Sequence, residues 1–202
     1  AGARLIHQSV KFINTDTKTI YLNNNIKIKY DVLSVNCGAA PDLNSIPGAE
    51  LYAVAVKPIS MFLNKLPTAS AISGPVCIIG AGAAGAELAL AFRHRYGASA
   101  DIHLIGRSER VLPTRSHQAS QLLTRALQQN NITLHLGKAV SRITATDIHL
   151  FDKTKFAYAH VFLVTSARPA DWLSGLAVTK DTDGYIQISN SLQSVSNKHI
   201  FA

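Results

Sequence analysis

A glycine-rich turn between an apolar run and a helix-forming segment constrains this chain more than any other feature of its sequence. Residues 76–80 (VCIIG) form a continuous apolar stretch of the kind that is buried on both faces in parallel sheets. Residues 84–96 carry good helix formers up to Gly97, which is typical of a helix end. Residues 101–105 (DIHLI) then predict a second strand. Residues 76–106 are therefore predicted as strand, turn, helix and strand.

The turn satisfies the pattern Gly-x-Gly-x-x-Gly, in which each glycine serves a separate purpose. Gly80 permits the tight turn, Gly82 lets the backbone approach a pyrophosphate, and Gly85 lets the helix pack closely on the strand. Free N–H groups and the positive end of the helix dipole would stabilise phosphate charge. We therefore predict a dinucleotide site for NAD(P)H; the alternative is a Gly/Ala-rich turn without a ligand. The residues expected to contact the cofactor here are Gly80, Ala81, Gly82, Ala83, Ala84, Gly85 and Glu87.

The second predicted strand lacks the terminal acidic residue that accepts a hydrogen bond from the ribose 2′-OH of NAD. Counted from Gly85, that position is Ile105 or Gly106, and Arg107 follows directly. Between residues 93 and 115, five arginines, including Arg110, stand against two acidic residues. This pattern favours a 2′-phosphate and hence NADPH, while the alternative is a solvated basic face. The predicted cofactor contacts in this segment are Gly106, Arg107 and Arg110.

Strand and helix patterns along the rest of the chain predict the fold class. Residues 4–35 are typical of an antiparallel meander, and a short helix is expected at 58–66. The later elements are an amphipathic helix at 116–129, a strand at 132–136, three strand pulses from 138 to 158, a buried strand at 161–165 and a turn leading into a strand at 183–186. We therefore predict an α/β fold with a Rossmann-like, doubly wound parallel sheet and an antiparallel β-meander insert.

Composition argues against several other classes of protein. Hydrophobic residues make up 47% of the chain and charged residues 16%, which supplies a core and argues against global disorder. The net charge of +8 comes from scattered residues, so no nucleic-acid surface is predicted. No stretch approaches the roughly 18 apolar residues of a membrane span. The histidines and the two cysteines lack metal-site spacing, and the cysteine usage suits a reducing, cytoplasmic setting.

Two segments, GPVCIIGAGAAGAELALAF and DIHLIGRSERVLP, resemble the NAD(P)H-binding domain of the pyridine nucleotide–disulfide oxidoreductases, the two-dinucleotide-binding flavoproteins. Residues 31–41 and 164–169 resemble the two ATG-type turns of that superfamily, and residues 183–185 resemble the approach to its flavin-binding Gly-Asp. More narrowly, the chain resembles the NADH dehydrogenase-like branch, closest to the subgroup found alone or fused to selenide, water dikinase. Cys37 stands where the first turn usually has Thr, and Ser166 where the second usually has Gly.

The resemblance implies an FAD-dependent NAD(P)H oxidoreductase that passes a hydride from NAD(P)H to flavin and then to an acceptor. It adds Ser166 to the predicted cofactor contacts and FAD to the cofactors of the full-length protein. The implied parts are a β-meander and closing strand of a truncated FAD-binding domain at 1–45, a linker with a short helix at 46–73, the NAD(P)H-binding domain at 74–169 and a return segment to the FAD-binding domain at 170–202. Because the chain lacks an initiator Met and both ends look cut, we expect a fragment without turnover of its own.

Two other functions stay open at this level. A redox-sensing module would bind the nucleotide without turnover, and flavin-dependent oxidation of NAD(P)H by the full-length protein would separate it from an enzyme. Nucleic-acid binding is less favoured, because no known module matches. The sequence identifies no catalytic residue. It also leaves open the acceptor (a quinone or a protein), a homodimer, and peripheral attachment to the inner membrane.

Overall fold

The computed structural model describes residues 2–165 and 167–202, which form two compact units. One unit is Ala40–Ala167, and the other combines Ala1–Ala39 with Arg168–Ala202. The strands, in chain order, are β1 (Val10–Asn14), β2 (Thr19–Leu22), β3 (Lys27–Lys29), β4 (Leu33–Ser34), β5 (Ala39–Pro41), β6 (Val54–Ala55), β7 (Val76–Ile79), β8 (Ile102–Ile105), β9 (Ile132–His135), β10 (Val140–Ile143), β11 (Asp147–Leu150), β12 (Lys155–Ala157), β13 (His160–Leu163), β14 (Ala167–Pro169) and β15 (Ile200–Phe201). The α-helices are α1 (Ala49–Tyr52), α2 (Ile59–Asn64), α3 (Ala83–Tyr96) and α4 (His117–Gln129), and short 3₁₀ turns lie at Leu43–Ser45, Ala69–Ala71 and Asp171–Gly175.

A five-stranded parallel sheet forms the centre of the larger unit, in the order β6-β13-β7-β8-β9. This confirms the predicted parallel sheet and places β7, which leads into the glycine-rich turn, in its middle. The predicted helices at 84–96 and 116–129 correspond to α3 and α4. Strand β6 and helix α1 were not predicted. Both are too short to show a periodic pattern, and β6 lies in the segment expected to be a linker.

Both faces of the sheet are covered, which explains why its strands are apolar at consecutive positions. Val76 and Ile78 of β7 pack against α2, α3 and α4, where Phe92 and Phe162 form the aromatic centre of the core. Cys77 and the other residues on the opposite face pack against α1 and the β10–β12 meander. Burial raises the pKa of the Cys77 thiol to about 12, with a smaller contribution from a carboxylate nearby, so this cysteine is a core residue.

The β10–β12 meander is antiparallel and lies between β9 and β13 in the chain, as predicted for the insert. Lys138, just before β10, donates to Asp152 in the turn between β11 and β12 at 2.5 Å. This bond, with others from Thr154, lowers the pKa of the Asp152 carboxyl to about 2. The turn of the meander is therefore tethered to the chain that leaves the parallel sheet.

The smaller unit contains a second meander, β1-β2-β3, and a separate parallel pair, β4 with β15. The prediction of one meander over residues 4–35 is therefore wrong at both ends. Its first strand starts only at Val10, and its last segment breaks at Tyr30, after which β4 pairs with the C-terminal β15. Near residue 184 the chain makes the predicted turn, but isolated bridges follow it instead of a strand.

Among the described residues, no helix combines the length and the apolar character that crossing a membrane requires.

Candidate functional site

The glycine-rich turn lies between the carboxyl end of β7 and the start of α3, as the sequence predicts. Gly80 has a φ of +123°, a conformation that residues with a side chain rarely adopt. Gly82 is the N-cap of α3. Ala81 and Gly85 are buried, whereas residues 82–84 are exposed. The turn therefore presents three consecutive exposed residues at the N-terminus of α3.

The packing around each glycine shows why it is glycine. A Cβ added at Gly80 would lie 2.5 Å from the carbonyl oxygen of Val164, and one added at Gly85 would lie 1.8 Å from the carbonyl oxygen of Gly80. At Gly82 an added Cβ would meet no atom within 4 Å. The fold thus requires glycine at the first and third positions, whereas packing does not require it at Gly82.

The electrostatics of α3 favour an anion at its start. No side chain caps its N-terminus, and its first turn contains no acidic residue. Its N-terminal N–H groups therefore keep their positive partial charge toward the exposed turn. Glu87 is the fifth residue of the helix and is exposed, so it lies beyond the turn where the dipole acts most strongly. Its predicted contact with the cofactor stays a prediction.

The end of β8 lies directly beside the glycine-rich turn. A Cβ added at Gly106 would lie 2.5 Å from the Cβ of Ala81, so the close approach of these two segments requires glycine. The Gly106 N–H donates to the carbonyl oxygen of His135 at 2.9 Å, and its own carbonyl accepts from Lys138 at 2.8 Å. Arg107 follows with an exposed side chain. The structure therefore brings Gly106 next to the turn and leaves Arg107 open to a ligand.

The other arginines of the basic segment have different surroundings. Arg93 lies in the last turn of α3, at the end opposite Gly82, and donates to five backbone carbonyls. Arg95 lies over the ring of Tyr96. The Arg110 Nη2 donates to the carbonyls of Pro113 and Arg115, at 2.6 and 3.0 Å. The local excess of arginine therefore does not form one phosphate-binding face.

A contact that the sequence did not indicate joins the loop after β8 to the turn. The Leu112 N–H donates to the carbonyl of Ala81 at 2.9 Å, and Leu112 has a φ of +52°. The Ser120 hydroxyl, on α4, donates to the buried carbonyl of Val111 at 2.6 Å. No local sequence signal could have identified the bond from Leu112 to Ala81, since it joins two segments that lie about thirty residues apart in the chain.

The segment after β13 also borders the turn. The backbone of Val164 and Thr165 approaches Gly80, as the Cβ contacts there show. The hydroxyl of Thr165 is buried and has no hydrogen-bond partner in the described structure. Ser166, a predicted cofactor contact, lies outside the described residues.

Two histidines pair on the face of the sheet that the meander covers. His103 Nδ1 lies 2.9 Å from His135 Nε2, and His103 Nε2 lies 2.9 Å from Asp101 Oδ1 without the alignment of a hydrogen bond. Burial lowers the pKa of His135, and the nearby His103 and Lys138 lower it further. Among residues 2–165 and 167–202, no three histidine, cysteine or acidic side chains are grouped as a metal site.

The chain matches the family model of the pyridine nucleotide-disulphide oxidoreductases over residues 2–202. A demethylphylloquinone reductase, NdbB from Synechocystis, is 26% identical over 217 residues, which cover all of this chain and 53% of the relative. The structure of NDH2 from Plasmodium falciparum in complex with NADH is 17% identical and has a TM-score of 0.79, covering 98% of this chain and 49% of that one. This agrees with the fold expected from the NADH dehydrogenase-like resemblance.

An engineered water-forming NADPH oxidase (TPNOX), bound to NADPH, is 25% identical with a TM-score of 0.79, over 98% of this chain and 45% of that one. It is a mutant of LbNOX, the water-forming NADH oxidase from Lactobacillus brevis. Its five substitutions replace a glycine by alanine, an aspartate eighteen positions later by alanine, the next two residues by arginine and serine, and a proline seven positions after the aspartate by arginine. The chain thus spans about half of the length of these relatives.

Proposed function

The chain belongs to the pyridine nucleotide-disulphide oxidoreductase family, and from this membership together with the site we propose that it binds NAD(P)H at the turn between β7 and α3. One observation carries the proposal. Gly82 faces open space and has no packing reason to be glycine, while the neighbouring glycines do. A pyrophosphate approaching the N-terminus of α3 would use that space.

Bound NAD(P)H supplies a hydride from its nicotinamide ring, and the part of this chain is to bind and orient the nucleotide. The exposed N–H groups of residues 82–84 would hold the pyrophosphate, and the absence of a side chain at Gly82 would let it approach. Gly106 and Arg107, at the end of the neighbouring strand, would receive the adenosine ribose. For this chain we propose no catalytic side chain.

We further propose that the whole protein is an FAD-dependent NAD(P)H oxidoreductase, and that the smaller unit is part of its FAD-binding domain. The pair β4–β15 supports this, because parallel pairs of two-residue strands normally belong to larger, covered sheets. The 202 residues contain one Gly-x-Gly-x-x-Gly motif, which is the one at residues 80–85. The electron acceptor and the attachment of the protein to a membrane stay predictions.

Binding of the nucleotide by the 202-residue chain tests the proposal directly. We expect NADH or NADPH to bind weakly, with saturable fluorescence enhancement and matching heat in calorimetry. The purified chain should be colourless and should not oxidise the nucleotide in the presence of a dye acceptor. A yellow preparation with flavin absorbance would contradict the assignment of the flavin site to another part of the protein. Absence of any saturable binding at millimolar nucleotide would contradict the proposed site.

A preference for NADPH over NADH is the finer part of the proposal. At residues 106–108 this chain reads Gly-Arg-Ser, which has no acid and has the same Arg-Ser order that the engineered NADPH oxidase acquired. An acid at the first of these positions would repel a 2′-phosphate, whereas an exposed arginine can donate to it. Counted from Gly106, the seventh following residue is Pro113, so this spacing offers no counterpart of the second introduced arginine.

Replacing Arg107 with alanine should therefore weaken NADPH binding by roughly tenfold or more, the equivalent of one charge-assisted hydrogen bond. NADH binding should change by less than about twofold, since NADH lacks the 2′-phosphate. The measurement is parallel titration with both nucleotides. Arg95→Ala is the matched control. It also removes one positive charge, but Arg95 lies in the last turn of α3, at the end of the helix opposite Gly82. Equal loss of both affinities in Arg107→Ala would refute a role in cofactor choice.

A further inference from the structure

The loop between β8 and α4, residues 107–115, is built around one contact with the glycine-rich turn. The Leu112 N–H donates to the carbonyl oxygen of Ala81 at 2.9 Å, with Leu112 in the left-handed region at a φ of +52°. A non-glycine residue in this region costs free energy, and such residues persist only where their surroundings hold them. The loop therefore needs further contacts that keep Leu112 in place.

The hydrogen bond from Leu112 to Ala81 fixes the orientation of the peptide between Ala81 and Gly82, which is the part of the turn that would face the ligand. In a trans peptide the carbonyl and the N–H point in opposite directions. When Leu112 fixes the carbonyl of Ala81, it also fixes the N–H of Gly82, which points away from the loop. The orientation of the first amide of the cradle thus depends on a residue thirty positions later in the chain.

Within the loop, the Arg115 N–H donates to the carbonyl of Leu112 at 3.0 Å, and Arg110 braces the residues that make this turn. Its Nη2 donates to the carbonyls of Pro113 and Arg115, so the guanidinium closes the loop on the far side of Leu112. On the near side, the Ser120 hydroxyl donates to the carbonyl of the fully buried Val111. Leu112 is therefore held from both sides by side chains that donate to its neighbours.

The guanidinium of Arg110 is poorly placed to bind a phosphate itself. One terminal nitrogen, Nη2, already donates to two carbonyls. The other, Nη1, is buried and has no partner in the described part of the chain, so it is not presented at the surface to a ligand oxygen. Arg107, three residues earlier, is exposed.

We propose that Arg110 is a positioning residue: it holds Leu112 against Ala81 and so orients the glycine-rich turn for the pyrophosphate that NADH and NADPH share. This inference rests on the proposed function of the turn, and it departs from the prediction that Arg110 contacts the 2′-phosphate. The two roles differ in what they predict, because the pyrophosphate is common to both nucleotides and the 2′-phosphate is not.

The test compares Arg110→Met and Ser120→Ala with Arg107→Ala in parallel titrations with NADH and NADPH, at a temperature well below the unfolding transition. Arg110→Met should weaken both nucleotides by about three- to tenfold and leave their affinity ratio within about twofold of that of the original chain. Ser120→Ala, which changes no charge, should show the same pattern to a smaller extent. Loss of NADPH affinity alone in Arg110→Met would make Arg110 a phosphate ligand and overturn the proposal, as would unchanged affinity for both.

Amide hydrogen exchange without nucleotide separates this inference from the proposed function. In Arg110→Met the Leu112 amide should exchange at least about tenfold faster, while amides in the middle of α4 keep their rates. If the original chain binds neither nucleotide, the proposed function fails. Faster exchange at Leu112 in Arg110→Met would still show that Arg110 holds the Leu112 amide against Ala81. Unchanged exchange at Leu112 would overturn the positioning role whatever the nucleotide titrations show.

Discussion

Replacing Gly85 with alanine is expected to destabilise the larger unit by about 3 kcal/mol or more and to weaken NAD(P)H binding. The added Cβ would lie 1.8 Å from the carbonyl oxygen of Gly80, a backbone atom that cannot rotate away. Relief requires α3 to move away from β7, in the middle of the sheet, and thus disturbs the core around Phe92. Urea unfolding followed by circular dichroism measures the loss of stability.

Gly82→Ala is the matched control, since it adds the same methyl group three residues earlier. Its Cβ meets no atom within 4 Å, and a φ of −77° with a ψ of −173° suits alanine, so stability should change by less than about 0.5 kcal/mol. The affinity for both nucleotides should nevertheless fall by at least about tenfold, because the methyl group would occupy the space proposed for the pyrophosphate. A stable Gly82→Ala chain that binds as the original does would show that the ligand lies elsewhere.

Local patterns were enough to predict the elements that form the centre of the fold. The apolar run before Gly80 predicts β7, helix formers ending at Gly97 predict α3, and the later pulses predict the β10–β12 meander. Each of these signals lies within a window of about ten residues. The glycine-rich turn was predictable for the same reason, since Gly80 takes a φ of +123° to make the turn and Gly85 packs on the carbonyl of Gly80. The contact of Gly80 with the segment after β13 was not predictable.

Elements that depend on distant partners were not predictable. Strand β6 has two residues, Val54 and Ala55, and it is a strand because β13 lies beside it more than a hundred residues later. Strand β4 likewise leaves the predicted meander because β15 is its partner. Neither sequence contains a periodic pattern that would identify it. Tertiary pairing therefore decides the structure of these short segments.

The surroundings of the individual arginines near the site could not be predicted from the sequence either. A count of charges between residues 93 and 115 treats all arginines as equal contributors to a basic face. In the structure Arg107 is exposed at the end of β8, Arg110 donates within its own loop, and Arg93 is buried with 9% of its surface exposed. What separates them is which backbone carbonyls lie within reach: those of its own loop for Arg110, and those after both α3 and α4 for Arg93.

Arg93 gives the second large effect that we expect, a loss of about 3–5 kcal/mol of stability in Arg93→Met. Its guanidinium donates to Asn130 and Asn131 at the end of α4, and to Gly97, Ala98 and Ala100 after α3, at 2.7–2.9 Å. One charge thus satisfies carbonyls at the C-termini of both helices, where a cation is also favoured by the helix dipoles. Methionine fills much of the same volume and leaves those carbonyls without their donor.

The midpoint and slope of urea unfolding measure this loss, and Arg95→Met provides the comparison. Arg95 is exposed and lies in the same turn of α3, so its replacement removes the same charge. The only described contact that it loses is the one with the ring of Tyr96, so the free energy of unfolding should change by less than about 1 kcal/mol. If both variants unfold at the same urea concentration, the hydrogen bonds of Arg93 contribute no more to stability than an exposed charge does. If Arg93→Met alone is destabilised and the remaining folded chain still binds nucleotide, then Arg93 stabilises the fold and does not contact the phosphate.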